Sequence, residues 1–258
     1  MSQDQTPPLP PLDLANRVSS LPDGPDAMNH YEWLGLMARQ SIDANLPDDW
    51  TYEGKRLLDF GCGAGRTMRH FLDVADRAEV WGCDIDTPSI DWLQDNLCPP
   101  LNAFAGGEDP PADLEEGSFD LIWAISVFTH LAGNSAEWLL EIHRLLKGDG
   151  ILIASFMGQL THQALTGRPW DEEGTGMKVV GRHNPWDLGG PSVFMSDHWI
   201  REHWGRAFEV EIIGPGVETL NQSWAVMRKK PASLSPEELL APPGGRAKRW
   251  LGLPRRRA

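Results

Sequence analysis

Cysteine is scarce. The three present in 258 residues, Cys62, Cys83 and Cys98, are an odd number and show no metal-ligand spacing. They exclude a disulfide framework and point to a reducing, cytoplasmic setting. Long apolar runs are missing too, so no segment reaches the ~20 residues of a membrane-spanning helix. The proline-rich start does not read as a signal peptide. Basic charge is in deficit: 23 Lys and Arg face 37 Asp and Glu, for a net charge of −14 and a pI of about 4.9. That balance argues against a general nucleic-acid binder, since a polyanion would be repelled. No carboxylate cluster has magnesium-ligand spacing, so no metal is expected.

What is present is organised around Leu57-Leu-Asp-Phe-Gly-Cys-Gly-Ala-Gly-Arg66. Lys55 to Phe60 reads as a short apolar strand. Gly61, Gly63 and Gly65 follow at alternating positions, and behind them a helix is expected with Met68, Phe71, Leu72 and Ala75 on one face. Glycines allow tight turns and close approach to a ligand, and the N–H groups of a helix start favour an anion. A dinucleotide fingerprint would place a third glycine where Arg66 stands, which counts against an NAD-dependent oxidoreductase. Glu79 to Asp84 reads as a second strand ending in an acid 19 residues after Gly65. In a nucleoside-binding βαβ unit such an acid accepts hydrogen bonds from the ribose hydroxyls.

Further along, strands and helices alternate. A helix spans Met28 to Leu46. Thr87-Pro88 opens another, with Ile90, Leu93 and Leu97 as its buried stripe and Pro99-Pro100 as its stop. Leu101 to Ala105 and Phe119 to Ala124 read as strands. Asn134-x-x-Glu137 reads as a capping-box variant that opens a helix through Leu146, closed at Gly148. Ile151 to Phe156 is the next strand, then a helix from Ser196 to Arg206 and strands at Phe208 to Ile213 and Gln222 to Arg228. This alternation predicts a doubly wound, mostly parallel α/β sheet. Its ligands would lie beyond the strand carboxyl ends, around Gly61, Asp84, Ile125 and His130.

The pattern Asp-x-Gly-x-Gly-x-Gly from Asp59, with the acid at Asp84, resembles the first motifs of class I S-adenosylmethionine-dependent methyltransferases. Ser118-Phe-Asp-Leu-Ile-Trp-Ala-Ile-Ser-Val-Phe-Thr-His-Leu131 is similar to the fourth-strand motif of their small-molecule branch. Lys147-Gly-Asp-Gly150 resembles their L-K-P-G-G turn, with Gly148 replacing proline and Asp149 replacing glycine. The resemblance covers roughly residues 28–230. It implies a seven-stranded Rossmann-like sheet with a final antiparallel hairpin and S-adenosylmethionine as cofactor. By the same resemblance Asp59, Gly61, Cys62, Gly63 and Gly65 shape the methionine pocket, Asp84 takes the ribose and Ile85 packs on adenine. The backbone of Ala124, Ile125 and Ser126 would hold the methionine moiety, and Tyr31 reaches its end or simply packs in the domain. The adenine-edge acid is either Glu108 or Asp109. A non-catalytic S-adenosylmethionine-binding protein stays open as an alternative to an enzyme.

His130 is the titratable group best placed to act as a base on a hydroxyl acceptor; otherwise it is bonded to a loop backbone or caps the next helix. Met157 to Met195 holds seven glycines with Trp170, Trp186, His162 and His183. It is too long for an ordinary connection. By the same resemblance the segment after the fifth strand shapes the acceptor site, so it reads as a lid, with His162, Trp170 and His183 on the side of a small-molecule or carbohydrate-like acceptor, or else as a docking surface. The domain organisation is then a mobile proline-rich arm at 1–27, the domain at 28–230 and a basic tail at 231–258. The tail's net +4 leaves −18 on the remainder. It is either solvated or makes weak contact with an anionic membrane or an acidic partner through the segment from Arg246 to Arg257.

Overall fold

The computed structural model describes residues 7–17, 21–171, 176–186, 189–215 and 222–242. Its centre is a seven-stranded sheet. In chain order the strands are β1 (Arg56–Phe60), β2 (Glu79–Asp84), β3 (Asn102–Ala105), β4 (Phe119–Ala124), β5 (Leu146–Phe156), then β8 (Phe208–Pro215) and β9 (Ser223–Lys229). The strands β6 (Met177–Val180) and β7 (Ser192–Met195) form a separate antiparallel pair. The large sheet has the order β3-β2-β1-β4-β5-β9-β8, parallel through β5, with β9 and β8 antiparallel. The sequence order reverses between β1 and β4, the point beyond whose carboxyl ends sheets of this kind bind their ligands.

Alternation along the central strands builds both cores, because successive side chains in a strand face opposite ways. Leu58, Ile122 and Leu152 point to one face. They pack there with Trp138, Leu139, Ile142 and Leu145 of α4 (Ser135–Leu145) and Ile200 of α6 (Asp197–His203). Leu57, Leu121 and Ile151 point to the other, against Ile42 of α2 (Ala27–Ala44) and Ile90 and Leu93 of α3 (Thr87–Asn96). Each of these is fully buried or nearly so, and each contributes roughly 1.5–3 kcal/mol in apolar burial. Two-sided burial of this kind requires near-continuous apolar runs such as Phe119–Ala124. Among the described residues no helix is long and apolar enough to cross a membrane.

Several elements depart from expectation. After Gly65 only a 3-10 turn forms, Met68–Phe71, followed by further turns. Arg39 of α2 explains this: its guanidinium donates to the His70 carbonyl at 2.5 Å, occupying the acceptor that a continuing α-helix would use, and also bonds Asp73 at 2.8 Å. Gly35 lets α2 approach this segment, since a Cβ there would lie 2.0 Å from the Arg66 carbonyl oxygen. At α3 the cap position is Asp86, not Thr87. Asn134 stands at the cap position as expected, but its side chain makes no capping bond; its amide instead donates to the Glu108 carbonyl and to Asp109, holding the turn after β3. The helix ends at Leu145 rather than Gly148, and β5 pairing starts at Leu146, with Lys147-Gly-Asp-Gly150 forming an irregularity in the strand.

The segment read as a lid is partly regular. It contains α5 (Gln159–Thr166) and the β6–β7 hairpin, whose Val193, Phe194 and Met195 are buried. The arm carries α1 (Leu12–Arg17), with Ala15 buried, Arg17 paired to Asp86 at 2.6 Å, and the Pro7 carbonyl accepting from Arg69 at 2.6 Å. The start of the tail is packed as well. α7 (Pro236–Leu240) has a Ser235–Glu238 capping box, buries Leu239, and gives its last carbonyls to His203 and Arg206. Residues 243–258, which carry the basic cluster, lie outside the described residues.

Candidate functional site

The glycine turn is fastened to the end of β2. Gly61 and Cys62 both donate to the Cys83 carbonyl, at 2.8 and 3.1 Å. The Gly63 N–H donates to Asp84 Oδ2 at 2.7 Å, and the Asp86 N–H to Asp84 Oδ1 at 2.9 Å. Burial raises the Asp84 pKa, opposed by those backbone donors. A carboxylate has about four lone-pair positions, so Asp84 retains acceptor capacity beyond these two bonds. Ile85 follows it with about a third of its surface exposed (36%). Gly61 takes φ +80° and lies against the segment after β4: a Cβ on it would sit 2.3 Å from Val127 Cγ2.

Beneath the turn is a buried polar group. Asp59 is 2% exposed, and its Oδ2 has no hydrogen-bond partner; the Trp123 indole N–H beside it is also buried and unpartnered. Burial pushes the Asp59 carboxyl up to about 7, opposed by the Trp123 indole N–H directed toward it without closing a good hydrogen bond, by the Arg66 guanidinium and by the Met68 backbone N–H. Arg66 fills the slot where a dinucleotide turn has glycine. It is itself buried, and its pKa is lowered by burial while Tyr31 and Asp59 counter that. Tyr31 is fully buried on α2, and its hydroxyl donates to the Ala64 carbonyl at 3.2 Å. Burial raises the pKa of this phenol.

Facing the turn is a junction, residues Ser126 to His130, where four parts of the chain meet. Ala124 and Ile125 are buried at the end of β4. Ser126 has φ +64°, and its N–H donates to Ser155 Oγ of β5 at 2.7 Å. Gln222, just before β9, contacts both Ser126 Oγ (2.9 Å from Nε2) and Ser155 Oγ (2.6 Å to Oε1). The 157–195 segment attaches at the same place: Val193 donates to the Thr129 carbonyl at 2.8 Å, and His130 Nδ1 donates to the Pro191 carbonyl at 2.8 Å. A carbonyl can only accept, so Nδ1 carries a proton, and in the neutral form of this exposed ring Nε2 is the acceptor.

The three acceptor-side residues do not converge. His162 and Trp170 meet edge to face at 5.0 Å, with Phe194 on another side of the imidazole at 5.3 Å. Lys178 Nζ lies 3.4 Å from His162 Nε2, and burial together with Lys178 and Arg168 lowers the histidine's pKa. His183 instead stands exposed in the turn after β6. Sequence reading missed Ser155, Gln222 and the Arg17–Asp86 pair. A serine within an apolar strand was a faint signal for the first; nothing local marks the others.

Residues 58–152 match a family profile described as a methyltransferase domain. Among curated proteins, the chain is 27% identical over 126 residues to malonyl-[acyl-carrier protein] O-methyltransferase of Salmonella typhimurium, covering 49% of this chain and 48% of that one. It is 28% identical over 115 residues to tRNA N(3)-methylcytidine methyltransferase of Schizosaccharomyces pombe, covering 41% and 38%. The chain thus spans about half or less of the length of these curated relatives. Among solved structures, phosphoethanolamine N-methyltransferase 1 of Haemonchus contortus superposes with a TM-score of 0.58 at 20% identity, covering 88% of this chain and 50% of that one. The sheet order, the closing hairpin and the glycine turn at the β1–β4 switch define the Rossmann-like methyltransferase fold. Together with the profile match over residues 58–152, they support a class I S-adenosylmethionine-dependent methyltransferase domain.

Proposed function

We propose that this chain binds S-adenosylmethionine beyond the carboxyl ends of β1, β2 and β4 and directs its methyl group to a small-molecule or carbohydrate-like acceptor beneath the lid. The observation that carries this reading is the orphaned Asp59 oxygen beneath a glycine turn clamped to Asp84. A buried carboxylate oxygen without a donor of its own suits a ligand that brings a cation, here the α-ammonium of a methionine moiety. Asp84 accepts from the ribose with its spare lone pairs, and Ile85 offers apolar surface to the adenine. Gly61, Cys62, Gly63 and Gly65 keep the backbone low enough for the ligand to approach, the Ala124–Ser126 backbone lines the methionine side, and Tyr31 holds the turn through Ala64. When bound, the cofactor supplies an already activated methyl, so the protein's part is orientation for in-line displacement and exclusion of water.

A hydroxyl acceptor would need a proton acceptor, and His130 meets the requirement of a free Nε2 with Nδ1–H held by Pro191. The net charge of −14 favours a small acceptor over a nucleic acid. Thermal-shift titration tests the cofactor assignment: S-adenosylhomocysteine should raise Tm and NAD should not. No shift with S-adenosylhomocysteine would overturn it. Turnover with candidate acceptors, chosen from ligands that co-purify in native mass spectrometry, separates an enzyme from a non-catalytic binder.

A further inference from the structure

The junction after β4 contains a conformation that its own residue type disfavours. Ser126 sits at φ +64°, a left-handed backbone that glycine adopts freely and other L-residues rarely do. Such a conformation persists where surrounding structure over-determines it, and here every polar group of Ser126 is taken from a different direction. Its N–H donates to Ser155 Oγ at 2.7 Å, its carbonyl accepts from Thr129 Oγ1 at 2.7 Å, and its hydroxyl lies 2.9 Å from Gln222 Nε2. Ser155 is fully buried, in a strand whose neighbours are apolar. A hydroxyl there costs desolvation unless bonded, and its bonds are to the Ser126 N–H and to Gln222 Oε1.

We infer that Ser155 and Gln222 are positioning residues: they hold Ser126 in the left-handed conformation and thereby fix the backbone that packs against Gly61 beside the proposed cofactor site. The inference rests on the cofactor reading above and adds two residues to it. The geometry makes the consequence specific. Val127, the next residue, packs so tightly on the glycine turn that a Cβ at Gly61 would be 2.3 Å from its Cγ2. Were Ser126 to relax to an extended φ, Val127 would leave Gly61, and the methionine side of the crevice would lose its wall. The lid would shift with it, because Val193 and Pro191 are bonded to Thr129 and His130 on the same turn. A side-chain tether from β5 and β9 thus sets both the cofactor wall and the lid anchor.

The test uses the full chain with three variants: Ser155→Ala, Gln222→Ala and the double change Ser155→Ala with Ser126→Gly. Two readouts are taken, calorimetric affinity for S-adenosylhomocysteine and amide hydrogen exchange of residues 124–128 in the ligand-free protein. Ser155→Ala should weaken binding about tenfold, the loss of roughly one hydrogen bond's worth of orientation, and should accelerate exchange at 124–128. Gln222→Ala should act in the same direction and guards against a Ser155 variant that fails to fold. Glycine needs no tether to hold a positive φ, so the double variant should recover affinity to within about threefold of wild type. Unchanged exchange in both single variants overturns the inference. So does an affinity loss that Ser126→Gly fails to rescue, since the hydroxyl would then act by something other than backbone conformation. If the wild-type chain itself does not bind S-adenosylhomocysteine, the cofactor reading falls, and the tether is decided by exchange alone.

Discussion

If the cofactor's ammonium meets Asp59 as proposed, binding becomes a proton-release event. Its carboxyl stands near 7 in the ligand-free protein because burial disfavours the charged form. The folded value is raised above the 3.8 of an unfolded chain, so the folded protein holds the extra proton between those limits. The stabilisation associated with that proton is fully present below the unfolded value and is lost as pH rises through the folded one, over a span of ~4 kcal/mol. A cation placed against Asp59 Oδ2 reverses the preference by favouring the carboxylate. One pH unit below the folded pKa, about nine-tenths of the sites are protonated, and one unit above, about one-tenth. S-adenosylhomocysteine binding at pH 6 should therefore release close to one proton and at pH 8 almost none, with affinity rising between them. Calorimetry at pH 6 in two buffers of different ionisation enthalpy reads the release directly. Asp59→Asn should abolish it and flatten the pH dependence. A buffer-independent enthalpy at pH 6 in the wild type would refute the reasoning, because the ligand's cation would then not be meeting a protonated Asp59.

Three further outcomes follow from the same geometry. Asp84→Ala removes the acceptor of the Gly63 and Asp86 amides as well as the proposed ribose contact. Calorimetry should show ~100-fold weaker S-adenosylhomocysteine binding, and Asp84→Asn, which keeps one acceptor oxygen, about tenfold, at ~1.5–3 kcal/mol per charge-assisted bond; unchanged affinity in a folded Ala variant would end the ribose assignment. If the acceptor is a hydroxyl, His130→Ala should slow transfer by ~10²–10⁴ with little change in cofactor affinity, and a His130→Gln variant with wild-type rate would reduce the residue to a lid anchor through Pro191. Leu239→Ala should cost ~2–4 kcal/mol in urea unfolding, against under ~0.5 for the exposed Leu240→Ala; equal effects would mean that α7 adds nothing to the core.

How much could be read in advance depended on whether a signal was local. The strands carried it in a few adjacent apolar residues, so Glu79–Asp84 and Phe119–Ala124 came out with their observed limits. The glycine turn and its acid likewise lie within one βαβ unit. The apolar face after Gly65 was equally clear, yet no α-helix forms there. The deciding contact comes from Arg39, 31 residues earlier, which takes the His70 carbonyl. Asn134 had the right spacing for a cap, but its amide found a better partner in the turn after β3. Composition misled in the same way at the chain ends. Proline and charge described solvated segments, whereas Ala15 and Leu239 are buried where α1 and α7 meet the domain. The site divides along this line too. Asp84 announces itself by distance from the glycines, but Gln222 is 96 residues from the Ser126 it contacts. Because the switch point draws its second wall from β5 and β9, the groups that set its conformation are bound to be distant in sequence, and a left-handed serine is the local trace they leave.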